Sequence, residues 1–247
     1  MESIAKASVC ECPIEESRLI GQQIEPKVVN LNLTIFDLDN TLLAGDSDYA
    51  WGQFLVEKGI VDAAHYTREN DRFYEEYQRK ILDIHEYQRF VLIPLLAMSQ
   101  TKQQQLHQEF MRSSIEPLRL VKADQLIQKH GDAGDQLLII TATNSFIAGP
   151  IGALLGIDTV LATEPEVIDG RFTGKIDGTP CFQGGKITRL QQWLSEQKFK
   201  PAQVTFYSDS INDLPLLEYV DKPIAVDPDD GLRAHAQSAG WPVISLR

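Results

Sequence analysis

Short apolar runs alternate along the chain with longer segments of mixed polarity. The runs are apolar or β-branched with no polar face, which predicts strands buried on both sides. We predict strands at about 31–37, 136–140, 159–162, 203–207, 223–226 and 242–245. Helices are predicted between them at about 119–130, at 145–155 and from near Lys186 onward. A hairpin is expected where 166–176 alternates around Asp169-Gly170. Strands that alternate with helices indicate an α/β fold with a Rossmann-like parallel sheet.

The segment from Asp46 to about Met111 has a helical pattern, since apolar and aromatic residues recur every three or four positions. It spans roughly 70 residues, whereas a crossover helix needs only about 10 to 15. The excess predicts an inserted helical cap over the strand ends, although extra helices on the flank of the core would give the same pattern. We therefore predict an α/β core at 30–45 and 115–247 and a cap at 46–114. The first 29 residues have little periodicity and are expected to form a disordered or loosely packed tail.

Composition narrows the class of protein. The formal charge of -12 argues against nucleic acid or an anionic membrane as the main partner. No apolar run reaches the roughly 18 residues that span a membrane, and no signal-peptide pattern is visible at the N-terminus. Three cysteines, Cys10, Cys12 and Cys181, cannot form a closed disulfide set, which favours a reduced, cytoplasmic compartment. Cys10 and Cys12 are interpreted as free thiols rather than a metal site.

Polar side chains follow several predicted strands or begin a predicted helix. They are Asp37, Asp39 and Thr41, then Thr141, then Lys186 after two glycines, then Asp209, Asn212 and Asp213. Each has an ordinary explanation when taken alone, as a helix cap, a turn residue or a solvated lysine. Because the carboxyl ends of parallel strands share one edge of a sheet, we expect the set to converge there.

The pair Asp37 and Asp39 indicates the chemistry. Two carboxylates so close repel each other, and they persist in a cleft when a cation holds them or when one carries a proton. A divalent metal with a free carboxylate oxygen suits attack on a phosphoryl group.

These residues resemble the four motifs of the haloacid dehalogenase-like hydrolase superfamily, most of whose members are phosphatases. The motifs here are Asp37-Leu38-Asp39-Asn40-Thr41, Thr141, Lys186 and Ser208-Asp209-Ser210-Ile211-Asn212-Asp213. The resemblance covers about residues 31–227. The helical block is similar to the C1-type cap of the phosphoserine-phosphatase-like branch, subfamily IB. The stretch from Leu161 to Cys181 resembles a branch that includes many histidinol-phosphate phosphatases.

The resemblance implies a mechanism. Asp37 would attack phosphorus to give an aspartyl-phosphate, and Asp39 would act as general acid and then as general base. A dehalogenase would lack the second carboxylate, so Asp39 favours phosphate esters. The expected cofactor is Mg²⁺, held by Asp37, the backbone carbonyl of Asp39 and Asp209.

The remaining motif residues have supporting roles in the same resemblance. Thr141, Lys186 and Asn212 would bind the phosphoryl oxygens. Thr41 would hydrogen-bond just behind the two carboxylates. Asp213 would hold a metal-bound water or orient Lys186, and it is also placed to cap the helix that follows it. The expected partner is a small phosphorylated metabolite.

Asp46 bears on the substrate, because it lies nine positions after Asp37, where phosphoserine phosphatases carry an acidic residue that binds the substrate amine. Asp46 is equally placed to cap the first helix of the cap. An ungapped match of 81–91 puts Val91 where those phosphatases have a carboxylate-binding arginine, with Arg89 two residues earlier. Histidinol phosphate has an amine and no carboxylate, so it is the leading substrate.

Five aromatic residues of the cap offer a surface for an imidazole, although each also suits the core of the cap. They are Tyr49, Trp51, Phe73, Tyr77 and Tyr87. Phosphoserine phosphatase and phosphotransferase activity remain the alternatives. A non-catalytic phosphate-binding protein is a further one, which the intact set of motif residues disfavours.

Overall fold

A computed structural model describes residues 31–247. The strands are β1 (Leu33–Phe36), β2 (Gln136–Asn144), β3 (Val160–Thr163), β4 (Pro165–Ile168), β5 (Arg171–Ile176), β6 (Val204–Ser208), β7 (Lys222–Val226) and β8 (Val243–Ile244). Six of them form one sheet in the order β3-β2-β1-β6-β7-β8, with every neighbouring pair parallel. The predicted α/β fold with a parallel sheet is confirmed.

Helices cover both faces of this sheet. They are α1 (Ser47–Glu57), α2 (Ala63–Gln78), α3 (Ile84–Leu96), α4 (Gln100–Phe110), α5 (Val121–Asp132), α6 (Ser145–Leu155), α7 (Gly184–Glu196), α8 (Leu214–Tyr219) and α9 (Asp230–Ala239). Successive residues of a strand face opposite sides, so Ile35 packs in the cluster beside α7, α8 and α9, whereas Phe36 packs in the cluster beside α5 and α6. β1 is therefore central in the sheet and buried on both faces.

Helices α1 to α4, here called the cap helices, lie in the chain between β1 and α5. The helical block was predicted in this segment. Three begin with an aspartate and one with a serine whose side chain accepts a hydrogen bond from a backbone N–H of the first turn. These caps are Asp46, Asp62, Asp83 and Ser99. A π-helical turn at Met111–Ile115 and a 3₁₀ turn at Glu116–Leu118 lead from α4 back to the core.

The predicted hairpin is present as β4 and β5. Asp169 and Gly170 have φ of 50° and 74°, as a two-residue turn with left-handed backbone requires. The hairpin packs against α3, and the side-chain amide of Gln100 donates to the Gly170 carbonyl at 2.7 Å. The hairpin therefore joins the core to the cap helices.

Three details differ from the sequence prediction. β2 continues past Thr141 to Asn144, because its polar end is paired with β3 and not released into a loop. The last strand is only two residues long, and the helix α9 was not predicted. The predicted tail and Cys10 and Cys12 lie outside the described residues. None of the helices within 31–247 is long and apolar enough to cross a membrane.

Cys181 is buried, and its Sγ donates to the Leu161 carbonyl at 3.4 Å. Burial raises the pKa of this thiol to about 12. Cys181 is therefore a protonated core residue rather than a nucleophile.

A polar network joins β1 to α5 under the sheet. The Thr34 hydroxyl donates to Asp135 Oδ2 at 2.9 Å, and His130 Nδ1 lies 2.7 Å from the same oxygen. The other ring nitrogen of His130 is 2.9 Å from the Tyr207 hydroxyl. Burial alone would raise the pKa of Asp135. Hydrogen bonds from His130, Thr34 and Asn32 outweigh burial and lower it from 3.8.

This lowered pKa predicts a pH dependence of stability. A carboxyl whose folded pKa lies below its unfolded value stabilises the fold above the unfolded pKa, and this contribution is lost as the pH falls through the folded pKa. We expect the free energy of unfolding to drop more for the wild type than for Asp135→Asn between about pH 5 and about pH 3. Urea unfolding at both pH values measures the difference, and parallel losses in the two proteins would contradict the prediction.

Candidate active site

The predicted site residues converge at the carboxyl end of the sheet, beneath the cap helices. The enclosed space between them has a free volume of about 60 Å³. Core residues that line it are Asp37, Asp39, Asn40, Thr141, Ala142, Thr143, Phe182, Lys186, Asn212 and Asp213. Lining residues from the N-terminus of α1 and from the other cap helices and their connection are Asp46, Asp48, Tyr49, Asn70, Phe73, Tyr74, Tyr77, Leu82, Ile84 and Tyr87. The cavity is thus built half from the core and half from the cap.

Asp37 and Asp39 leave β1 together. The N–H of Asp37 donates to the Tyr207 carbonyl at 2.9 Å, which continues the pairing with β6 by one residue. Both carboxylate oxygens of Asp39 are held, Oδ1 by the N–H of Ser47 at 2.7 Å and Oδ2 by the Thr143 hydroxyl at 2.6 Å. Asp39 is therefore fixed in orientation from the cap side and from β2 at once.

Lys186 lies between two carboxylates. Its Nζ is 2.8 Å from Asp37 Oδ1 and 2.7 Å from Asp213 Oδ1, and all three side chains are buried. The Ser208 hydroxyl donates to Asp213 Oδ2 at 2.7 Å. Asp213 thus holds Lys186 in place, which is one of the two roles expected for it.

Gly185, directly before Lys186, helps to set its position. A Cβ on Gly185 would lie 2.1 Å from the Pro180 carbonyl oxygen, so only glycine fits there. Gln183 just before α7 has φ of 47°, and its side-chain amide donates to Asn212 Oδ1 at 3.3 Å. The tight turn at the start of α7 therefore brings Lys186 to Asp37 from across the sheet.

Burial dominates the ionisation of this cluster. Burial raises the pKa of Asp37 to about 7, and Lys186 offsets this only in part. Burial, and then repulsion from Asp46, raises the pKa of Asp39 to about 6. Burial alone would lower the pKa of Lys186, but Asp213 and Asp37 raise it above its ordinary value. Lys186 is therefore charged. Its single positive charge does not balance the negative charge of the buried carboxylates around it.

Asp209 is a further carboxylate of this cluster whose charge is not balanced by a cation within the described residues. Burial, and then the charge of Asp37, raises the pKa of Asp209 well above its ordinary value. Thr41 Oγ1 donates to Asp209 Oδ1 and accepts from the Asp209 N–H, both at 3.0 Å. Thr41 was expected behind Asp37 and Asp39, and its hydroxyl bonds Asp209 instead.

The donors here fit a hard divalent cation. Within residues 31–247, no three His, Cys, Asp or Glu side chains lie close enough to hold a metal ion by themselves. The expected set needs only two carboxylates, Asp37 and Asp209, with the Asp39 carbonyl. Mg²⁺ keeps several waters and takes one or two carboxylates, so this oxygen-only set suits it.

Thr141 is buried in the cavity wall at the edge of the site. Its oxygen accepts from the Thr143 N–H at 3.2 Å, which leaves its own O–H hydrogen available to an oxygen of a ligand. Asn212, by contrast, uses its amide within the protein, since Nδ2 donates to the Tyr77 carbonyl at 3.1 Å. The Tyr77 hydroxyl donates to Ser210 Oγ at 3.1 Å. Asn212 and Ser210 therefore bind the end of α2 to the core.

Two acidic residues at the start of α1 reach the cavity. Asp46 caps the helix, with its side chain accepting from the Tyr49 N–H at 2.8 Å, and it lines the cavity as well. Both roles weighed for Asp46 are thus compatible with its position. Asp48, two residues on, is 5% exposed and accepts from Asn144 Nδ2 at 3.3 Å.

Sequence reasoning missed Asp48, Thr143 and the contact made by Tyr77 with the core. Thr143 had a detectable signal, because it lies two residues after Thr141 and so faces the same side of β2. The predicted strand ended at Ile140, so this alternation was not extended to Thr143.

Thr143→Val is expected to lower kcat about tenfold, since it removes a hydrogen bond to a carboxylate without changing shape. Thr143→Ser keeps the hydroxyl and is expected to keep most of the activity. Steady-state kinetics of both variants measures this. A kcat for Thr143→Val equal to that of the wild type would show that Thr143 does not position Asp39.

Comparison with known proteins decides the family. A family model described as haloacid dehalogenase-like hydrolase matches residues 34–218, most of the chain. The chain belongs to the haloacid dehalogenase-like hydrolase family.

Two curated relatives of this hydrolase are phosphatases by name. A histidinol-phosphatase of Neisseria meningitidis serogroup C is 46% identical over 222 residues, which cover 87% of this chain and 99% of the relative. A phosphoserine phosphatase of Mycobacterium tuberculosis is 30% identical over 236 residues, covering 92% of this chain and 75% of the relative. The prediction of a haloacid dehalogenase-like phosphatase is confirmed.

Solved structures of similar proteins agree on the fold. A protein of unknown function from Bordetella pertussis Tohama I is 44% identical with a TM-score of 0.83, over 88% of this chain and all of that one. A substrate-bound phosphoserine phosphatase aligns with a TM-score of 0.63 at 16% identity, over 88% of this chain and 94% of that one. At 16% identity, the second match supports only the fold.

Proposed function

We propose that this phosphatase hydrolyses a small phosphorylated metabolite through an aspartyl-phosphate on Asp37, with L-histidinol phosphate as the leading substrate. One observation carries the substrate proposal. The cavity is lined by five aspartates, and Lys186 is the only cation among the described residues that line it. Lys186 is already paired with Asp37 and Asp213, and in this proposal it binds the phosphoryl group. The rest of the cavity therefore suits a substrate with cationic or N–H groups and no carboxylate.

Asp37 is the nucleophile in this proposal. Its Oδ1 is held by Lys186, which leaves Oδ2 to attack phosphorus in line with the leaving oxygen. In this proposal the Lys186 ammonium and the Thr141 hydroxyl stabilise the charge that develops on the phosphoryl oxygens. Preorganised donors of this kind are the main catalytic contribution in phosphoryl transfer.

Asp39 is the general acid and base. A pKa near 6 suits a group that gives a proton to the leaving alcohol and takes one from water near neutral pH. The hydrogen bonds from Ser47 and Thr143 hold the carboxylate still between these two steps.

Mg²⁺ would be held by Asp37, Asp209 and the Asp39 carbonyl. When bound there, it supplies positive charge that offsets the carboxylates and the phosphoryl group. Thr41 fixes the Asp209 carboxylate for this purpose.

The substrate preference also rests on what the cap lacks. Val91 packs in the hydrophobic core at 2% exposure, Arg89 is exposed, and neither lines the cavity. A substrate carboxylate such as that of phosphoserine would thus meet aspartates and no arginine. The histidinol-phosphatase name of the 46% identical relative supports the same choice. The phosphoserine phosphatase name of the 30% identical relative keeps phosphoserine as the second candidate.

The cap opens during turnover in this proposal. The free volume of about 60 Å³ between core and cap is room for a few water molecules, and entry of a larger substrate would be easier with the cap open. A cap that shuts over the bound substrate would limit the water that reaches the reacting groups.

Phosphate release from a panel of esters tests the proposal. We expect L-histidinol phosphate to give a higher kcat/KM than L-phosphoserine, with all activity lost in EDTA and restored by Mg²⁺. A preference for phosphoserine would overturn the substrate, and activity that survives EDTA would overturn the metal. Phosphate transfer to an added alcohol in place of release would make the protein a phosphotransferase.

A further inference from the structure

Asp48 is buried in the cavity wall without a cation. It lies in the first turn of α1, and none of the ion pairs formed within residues 31–247 includes it. Its direct donor is Asn144 Nδ2 at 3.3 Å, a long bond from a neutral group. A buried carboxylate is normally paired with a cation, and the partners of Asp48 among residues 31–247 are all neutral groups. A ligand in the cavity can supply a stronger donor.

Helix stabilisation does not explain this position. An acidic side chain in the first turn interacts favourably with the helix dipole, but an exposed carboxylate obtains the same benefit. The capping bond to Tyr49 is made by Asp46, not by Asp48. Asp46 also adds negative charge beside Asp48, which makes the burial less favourable still.

The residues around Asp48 indicate what kind of ligand group it could bind. Tyr87 and Phe73 line the same cavity, with their rings edge to face at 5.2 Å, and Leu82 and Ile84 add apolar surface. Burial raises the pKa of Asp48, and the hydroxyls of Thr143 and Tyr87 lower it only in part. An aromatic, apolar wall with a carboxylate in it suits a flat ring that carries an N–H.

We propose that Asp48 accepts a hydrogen bond from the imidazole N–H of the substrate and selects imidazole-bearing phosphate esters over simple amino-alcohol esters. Asp46, which lies nearer the start of the helix, would bind the ammonium group of the substrate. This assignment rests on the proposed function, and it adds a residue at which specificity is set. Because Asp48 touches the far end of the substrate, it acts on recognition and not on the bond that breaks.

Paired substrates test the assignment. L-histidinol phosphate has an ammonium and an imidazole, and ethanolamine phosphate has the ammonium alone. We expect the ratio of their kcat/KM values to fall about 30-fold in Asp48→Ala and about tenfold in Asp48→Asn, which keeps the shape of the side chain. Glu57→Gln, an exposed acid at the other end of α1, makes the same charge change and is expected to keep the wild-type ratio.

The outcomes separate this assignment from the proposed function. An unchanged ratio, or an equal loss for both esters, would overturn the role of Asp48 while leaving the phosphatase proposal intact. If the wild type does not turn over L-histidinol phosphate, the proposed function falls, and calorimetric titration with L-histidinol decides the role of Asp48. Binding that weakens in Asp48→Asn and not in Glu57→Gln would support the role, and no binding to the wild type would overturn it.

Discussion

Replacement of Asp37 by asparagine is expected to lower phosphate release by at least about 10⁴-fold, the range seen when a catalytic nucleophile is removed. The amide is nearly the same size as the carboxylate, so the change removes the negative charge of Asp37 and leaves the shape of the side chain nearly unchanged. The substitution also withdraws one of the two charged acceptors of Lys186, whose remaining partner is Asp213. Phosphate release from L-histidinol phosphate under saturating Mg²⁺ measures the effect.

A matched variant guards against a general effect of lost charge. Asp132 is exposed at the end of α5, and Asp132→Asn is expected to keep wild-type activity. Circular dichroism should give the same spectrum for both variants. Loss of less than about 10²-fold in Asp37→Asn would mean that water attacks phosphorus directly, since the general acid and the phosphate-binding groups would then carry the rate.

Lys186→Met is expected to destabilise the protein by about 3–5 kcal/mol and to remove activity as well. The ammonium group is buried between two carboxylates at 2.8 and 2.7 Å, so its loss leaves Asp37 and Asp213 buried with no cation. Removing one partner of a buried pair costs more than the pair itself contributes. Urea unfolding without Mg²⁺ measures the change in the free energy of unfolding.

Two further variants test whether the effect is specific to this buried ion pair. Lys129→Met, on the exposed face of α5, is expected to lie within about 0.5 kcal/mol of the wild type. Adding Asp213→Asn to Lys186→Met is expected to return part of the lost stability, because it removes one of the two uncompensated charges. A single variant Lys186→Met as stable as Lys129→Met would show that the carboxylates take up protons at little cost.

Local signals allowed much of the fold to be predicted. β1 was predictable because Leu33–Phe36 has no polar side, and α6 because Asn144 caps it and Gly156 ends it with φ of 74°. The hairpin followed from Asp169-Gly170. In each case the physical cause lies within a few residues of its effect, so a single sequence contains it.

The less predictable parts depend on contacts between distant segments. Thr143 bonds Asp39 across 104 positions, and a polar residue at a strand end is equally typical of a loop. Asp48 looks like any acidic residue in a first helical turn until packing buries it. The family motifs placed Asp37 and Lys186 in one site, but the geometry between them is set by a glycine that touches Pro180.

The contacts of Tyr77 have a thermodynamic consequence. Ser210 and Asn212, which bind Tyr77, belong to the loop between Asp209 and Asp213. In the proposed opening of the cap, α2 moves away from the cavity only if these two hydrogen bonds break, so closing of α2 and the conformation of this loop are expected to be linked. A ligand that favours the ordered loop favours the shut cap by the same free energy, and a substrate that holds the cap shut strengthens ligand binding at the loop by the same factor.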